Sequence, residues 1–309
     1  MSTDNGGKGL LLKADPIANT FRDEIKADLA KKPKPPKLVG ILSTSAAPSR
    51  FYADFTKKQC DELGVEFELR KTGSAADSAL ADGDGVEEAI IEANEDDSVD
   101  GIMIVSPFKD VEGLHFKFHY NLYHNVRYLK PQTLLSPATT KEVAPATLAD
   151  QPPPGTVKSI LPCTPLAVVK ALEYTRVYNT LLPYGDRAYG KTITVINRSE
   201  VVGRPLAALL ANDGARVFSV DIDTIQEYTK RPRQNAEAPS AQRYHTRHLV
   251  QPSTLSLQDC LSQSDVVVSA VPSADYKIKT EWLKDGCICL NVAADKNFEK
   301  DVREKVRDN

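Results

Sequence analysis

Long apolar runs are missing from this 309-residue sequence, and none reaches the about 18 residues that a membrane-spanning helix needs. The opening MSTDNGGKGLLLKADPIA has no extended apolar core, so no export signal is read there. Cysteine is scarce as well: five, at Cys60, Cys163, Cys260, Cys287 and Cys289, odd in number and scattered. That count argues against a disulfide framework and for reduced thiols in a cytoplasmic compartment. Charge of one sign is not in excess either. The formal net charge of −3 gives no electrostatic basis for partners such as nucleic acid or a membrane surface. His115 and His119 are spaced four apart with His124 beyond, but no carboxylate motif accompanies them, and no metal is expected.

What remains is an ordinary globular composition, 41% hydrophobic and 26% charged, able to bury a core. The length favours two domains. In the first half, 17–32 reads as a helix, Leu38–Ser43 as a short apolar strand and Ser49–Gly64 as a helix with Phe51, Phe55 and Leu63 among its apolar positions. Val65–Arg70 alternates as a strand, Val86–Asn94 reads as a helix and Gly101–Val105 as a buried strand. This βαβαβ rhythm predicts a parallel sheet. A Pro-, Ala- and Thr-rich stretch over 129–157 lacks periodicity and is expected to be a mobile insertion. A helix follows over 165–178, a polar loop over 230–246, and buried strands over 264–271 and 286–293. Cys287 and Cys289 share one face of the last of these, as core residues.

The richest segment runs from Gly190 to Asp223, GKTITVINRSEVVGRPLAALLANDGARVFSVDID. Ile193–Asn197 is a β-branched strand, and Arg198–Gly203 a turn into a helix that Pro205 can begin. Leu206, Leu209 and Leu210 share one helical face, and Gly214 ends the helix. The second strand carries Asp221 and Asp223 about twenty residues past the turn glycine, where a carboxylate meets an adenosine ribose. The turn lacks G-x-G-x-x-G and has one glycine, Gly203. A βαβ unit that binds no nucleotide therefore stays open at this point.

Together, LPCTP at 161–165, the 189–210 segment, SDVVVSAVPS at 264–273 and KDVEG at 109–113 resemble, in a fixed order, the methylenetetrahydrofolate dehydrogenase/cyclohydrolase family. SILPCTPLAVVKALE, INRSEVVGRPLAALLANDGA and NLYHNVRYL are most similar to its fungal, NAD-dependent, monofunctional branch. The resemblance implies an α/β protein of two domains, each a mainly parallel sheet flanked by helices. Residues 1–160 would form the folate-binding catalytic domain, and 161–309 a Rossmann-type NAD-binding domain. The implied reaction is NAD-dependent oxidation of 5,10-methylenetetrahydrofolate, with a reduced folate as small-molecule partner and a homodimer as the assembly.

Residue by residue, the resemblance places Tyr52 against the folate, with Pro107, Asp110 and Glu112 beside it. Cys163 would sit at the domain junction, facing the cleft or buried as a structural thiol. Arg198, Ser199, Gly203, Asp221, Ile222 and Asp223 would hold the adenosine and pyrophosphate, and Val271, Pro272, Asn291, Val292 and Ala293 the nicotinamide side. Asp221 favours NAD by repelling a 2′-phosphate. Arg198 is expected to pair with Asp221 or to meet the pyrophosphate. The family's cyclohydrolase lysine, four residues after the tyrosine, is Thr56 here, and its glutamine is Val105. Both changes predict a dehydrogenase without cyclohydrolase activity. Phe108 also runs directly into Lys109, where the family carries a further segment, and the sequence stops at Asn309 before the family's final loop and helix. An impaired dinucleotide-binding remnant therefore stays open as an alternative, as does an NADP-linked bifunctional enzyme.

Overall fold

The computed structural model describes residues 9–104, 113–131, 151–232 and 244–304. Contacts divide the chain into two compact units, Ala14–His115 on one hand and Met1–Lys13 with Phe116–Asn309 on the other. The dividing point thus falls at 115/116, where the sequence placed it at 160/161.

In the smaller unit, α1 (Asp15–Leu29) is followed by β1 (Lys37–Leu42), α2 (Ala47–Leu63), β2 (Glu66–Lys71), α3 (Gly73–Ala76), α4 (Val86–Glu95) and β3 (Gly101–Ile104). The strands pair in parallel in the order β2-β1-β3. Val39, Ile41, Ile102 and Ile104 meet Ala89 and Ala93 of α4 to form its core. Gly64 ends α2 in a left-handed conformation, its N–H returning to Cys60 O.

The larger unit opens with α5 (Phe116–Tyr123), then β4 (Tyr128–Leu129) and β5 (Val157–Lys158), which pair antiparallel, Leu129 opposite Val157. The Pro- and Ala-rich stretch is therefore closed at its base, while 132–150 lie outside the described residues. Next comes α6 (Cys163–Tyr174), which stops before Arg176 enters positive φ, four residues earlier than the sequence predicted. The nucleotide-type unit follows as β6 (Thr192–Ile196), α7 (Gly203–Asn212) and β7 (Arg216–Val220).

The expected polar loop over 230–246 is in part a correction. β8 (Ile225–Pro232) and β9 (Tyr244–Pro252) form an antiparallel pair that extends the sheet beyond β7, with 233–243 undescribed between them. Then α8 (Leu257–Gln263) leads to β10 (Val266–Ser269) and β11 (Ile288–Asn291). Among the described residues the sheet order is β11-β10-β6-β7-β8-β9, with β6, β7, β10 and β11 parallel. Its core packs Ile193, Val195, Val217 and Val266 under Leu206, Leu210 and Ala211 of α7. None of the described helices is long and apolar enough to cross a membrane.

Candidate functional site

In an open parallel sheet, ligands bind beyond the carboxyl ends of the strands, where the strand order changes direction. Here that point lies between β6 and β10, and Asn197 occupies it. Its φ of 82° is left-handed, a conformation that Asn tolerates better than most residues. Its Nδ2 donates to Ala270 O at 2.7 Å across the crevice, and its Oδ1 accepts from Ser199 N at 3.1 Å. Ser199 Oγ in turn accepts from Val202 N at 3.2 Å as the chain enters α7. A Cβ on Gly203 would overlap the Asn197 carbonyl oxygen and lie 2.7 Å from its carbonyl carbon. The sparse glycine signature is thereby explained. Asn197 takes the tight left-handed turn, and Gly203 takes the position where α7 comes against the backbone that leaves β6.

The rim of the site forms at the end of β7. Asp221 is half-buried, while Ile222 and Asp223 are exposed, Ile222 at 95%. Asp221 Oδ1 accepts from the Ile222 N–H at 3.0 Å. Arg198 does not pair with Asp221. Its Nε donates to Ser219 Oγ at 3.0 Å, Nη1 to Thr224 Oγ1 at 2.9 Å, and Nη2 to Ser219 O at 2.5 Å and Thr224 O at 3.0 Å. The guanidinium thus clamps the turn to the β7–β8 corner. This arrangement fits an NAD: a helix N-terminus behind a tight turn for the pyrophosphate, and a half-buried carboxylate at the rim for the ribose hydroxyls.

Beside this rim opens a cavity of about 700 Å³, lined among others by Tyr123, Arg198, Arg204, Asp221, Tyr228 and His248. His248 on β9 stacks on Tyr228, ring centroids 5.4 Å apart, and meets Asn212 Oδ1 through Nδ1 at 3.0 Å. Asn212 Nδ2 donates to Leu122 O at 2.9 Å, so its Oδ1 is the acceptor and His248 Nδ1 carries the proton. Burial, then the charges of Arg247, Arg204 and His124, push His248 down to about 4 from 6.5. Its neutral form is the folded one. The stability it contributes is fully present above pH 6.5 and is lost as pH falls toward 4, about 3 kcal/mol over that window. His248→Asn keeps a donor for Asn212 but cannot titrate. Urea unfolding of the two proteins at pH 7 and pH 4.5 is expected to show a markedly smaller acid loss in the variant, and equal losses would remove His248 as the cause.

On the opposite side of the sheet's switch point, Val271 and Val292 are half-buried, Ala293 likewise, and Pro272 and Asn291 exposed. Asn291 Nδ2 donates to Ala293 O at 2.7 Å and Asp295 O at 2.9 Å, holding the turn after β11.

In the smaller unit, Tyr52 and Thr56 lie one turn apart on α2 and share a face. Tyr52 is 39% exposed, and the Thr56 hydroxyl donates to Tyr52 O at 2.9 Å. Pro107, Asp110, Glu112 and Val105 lie outside the described residues.

Residues 12–120 match the tetrahydrofolate dehydrogenase/cyclohydrolase catalytic domain, and residues 162–236 the NAD(P)-binding domain of the same family. The sequence is 42% identical to the methylenetetrahydrofolate dehydrogenase [NAD(+)] of Saccharomyces cerevisiae, over 96% of this chain and 88% of that protein. It is 43% identical to the enzyme of the same name from Schizosaccharomyces pombe, over 93% of this chain and 82% of that one. The chain belongs to the tetrahydrofolate dehydrogenase/cyclohydrolase family. Its fold agrees: the solved structure of the NAD-dependent 5,10-methylenetetrahydrofolate dehydrogenase from S. cerevisiae superposes with a TM-score of 0.77 at 40% identity, covering 97% of this chain and 90% of that one.

As a member of this family the chain places its cysteines informatively. Cys163 opens α6 and is exposed, its Sγ 3.9 Å from Thr164 Oγ1, so the buried structural thiol that the sequence allowed is corrected. Cys287 and Cys289 are half-buried with sulfurs 3.5 Å apart, on one face as alternation requires. No three His, Cys, Asp or Glu side chains cluster as metal ligands among the described residues. The sequence offered no signal for Asn197 as the turn-former, nor for Ser219 and Thr224 as the seat of Arg198.

Proposed function

We propose that this family member is an NAD-dependent methylenetetrahydrofolate dehydrogenase that releases 5,10-methenyltetrahydrofolate without hydrolysing it. NAD, when bound, supplies the hydride acceptor. The chain's own part is alignment. Asp221 receives the ribose hydroxyls and discriminates against a 2′-phosphate, the turn before α7 meets the pyrophosphate, and the loops after β10 and β11 border the nicotinamide. Tyr52 offers a half-open aromatic face to the folate ring system. Hydride loss leaves a cation shared by the two nitrogens flanking the one-carbon bridge, so no protein base is required, only near-attack geometry.

Thr56 carries the second half of the proposal. By the family resemblance, the bifunctional enzymes place a lysine one turn after the tyrosine for hydrolysis of the methenyl product, and here a short hydroxyl is spent on the Tyr52 carbonyl. Lys57 and Lys58 are rotated by roughly 100° and 200° around the helix and do not substitute. Five cysteines without a disulfide support a cytoplasmic location, and the family resemblance supports a homodimer.

The purified protein is expected to convert methylenetetrahydrofolate to the methenyl form with NAD, and that product is expected to decay only at the rate of buffer alone. An absence of NAD-dependent turnover overturns the dehydrogenase. Decay faster than buffer overturns the loss of hydrolysis and leaves the dehydrogenase standing.

A further inference from the structure

Asn297 belongs to no motif of the sequence, yet its side chain is fully buried. Its Oδ1 accepts from Ser269 Oγ at 2.9 Å, at the end of β10, and from Val271 N at 3.2 Å. Its Nδ2 donates to Val271 O at 3.0 Å and Ser273 O at 3.4 Å. Its backbone N–H donates to Asn291 Oδ1 at 2.7 Å, at the end of β11, and its carbonyl accepts from Ile278 N at 2.7 Å. A carboxamide offers two acceptor sites and two donors, and every one is engaged.

A single residue therefore touches the end of β10, the loop 271–273, the end of β11 and the strand-like segment at Ile278. Lys277 spans the same two loops from the outside, its Nζ donating to Ala274 O, to Tyr276 O at 3.3 Å and to Lys296 O at 2.5 Å. Buried polar networks that are fully satisfied rigidify their surroundings and favour one arrangement. Here the arrangement lies beyond the carboxyl ends of two neighbouring parallel strands, the face on which such sheets bind ligands.

We propose that Asn297 is the positioning residue for hydride transfer: it fixes loop 271–273 against the Asn291–Ala293 turn so that the two hold the nicotinamide ring, without touching the cofactor itself. The proposal rests on the dehydrogenase function above and deepens it. A displacement of about 1 Å between such loops is enough to lower a transfer rate by about 100-fold. The adenosine end is held by other elements, α7 and the end of β7, and does not depend on this network.

Asn297→Asp tests it. The substitution keeps the shape and the acceptor facing Ser269 and Val271 N, but turns a carboxylate oxygen toward Val271 O and Ser273 O. The full chain is compared with wild type in three measurements: NAD-dependent turnover, the isotope effect with substrate deuterated at the one-carbon bridge, and affinity for ADP-ribose, which lacks nicotinamide. The expected result is a kcat lower by about 10- to 100-fold, a larger isotope effect because transfer has become limiting, and unchanged ADP-ribose affinity. Unchanged kcat overturns the proposal. So does a fall in ADP-ribose affinity that parallels the fall in kcat, which marks a merely structural residue.

If Asn297→Asp does not fold, Ser269→Ala deletes one of the contacts and is read by the same three measurements, with a smaller loss expected. If wild type itself shows no turnover with NAD, the functional reading fails separately. The fluorescence of bound NADH, which reports the surroundings of the nicotinamide, then decides between displaced and intact loops.

Discussion

Gly203→Ala is expected to cost more than about 4 kcal/mol of stability and to abolish measurable NAD binding. The added Cβ would overlap the Asn197 carbonyl oxygen and lie 2.7 Å from Asn197 C and 3.0 Å from Arg198 Cα. All three are backbone atoms, so no side chain can swing away. Relief requires α7 to withdraw from β6. That helix is buried along nearly its whole length, with Leu206, Ala207, Ala208, Leu210 and Ala211 at 0% exposure. Withdrawal would open voids under several of these at once. Gly190→Ala is the control. There φ is 78° but no atom lies within 4 Å of the new Cβ, so the cost is conformational only, about 1–2 kcal/mol. Thermal unfolding and NAD calorimetry on both variants check the contrast. Comparable melting temperatures for the two would show that the close approach of α7 to β6 is not what Gly203 secures.

Asp221→Ser is expected to lower kcat/KM with NAD by about 10- to 100-fold. The loss corresponds to charge-assisted hydrogen bonds to the ribose hydroxyls, about 1.5–3 kcal/mol. Activity with NADP is expected to rise once the carboxylate that repels a 2′-phosphate is gone, but not to overtake NAD. The reason is Arg198. Its guanidinium is held by Ser219 and Thr224 through four hydrogen bonds and cannot turn to a phosphate without surrendering them. Steady-state kinetics with both cofactors decide. An unchanged KM for NAD would mean that Asp221 does not meet the ribose, and a full reversal of preference would mean that Arg198 is freer than its contacts imply.

Much of this was legible beforehand because periodicity reports burial. The strand over 193–197 and β6, the leucine face and α7, and the strand from Arg216 and β7 agree to within a few residues. The three parallel strands of the smaller unit emerged from the same logic. The β8–β9 pair was not legible. It pairs Glu227 with Gln251 and Lys230 with His248, and an antiparallel pair with one wetted face reads locally as polar loop. Only the neighbouring β7 and α7 give it a dry side, where Tyr228 and His248 are buried. The site divides in the same way. Asp221 and Gly203 announce themselves by residue type and spacing. Asn197, Asn297 and the seat of Arg198 depend on backbone conformation and on hydrogen-bond partners such as Ala270, Ser269 and Ser219, which lie 73, 28 and 21 residues away and which no local pattern encodes.

The buried α7 and the open rim at 221–223, with Asp221 half-buried and Ile222 and Asp223 exposed, have an evolutionary consequence. Residues that secure the platform are packed on all sides, whereas those proposed to choose the cofactor stand at its edge, with Ile222 almost wholly in solvent. Substitutions at such an edge ordinarily shift stability by no more than about half a kcal/mol. Cofactor preference in this scaffold can therefore drift by single steps while the platform beneath stays unchanged.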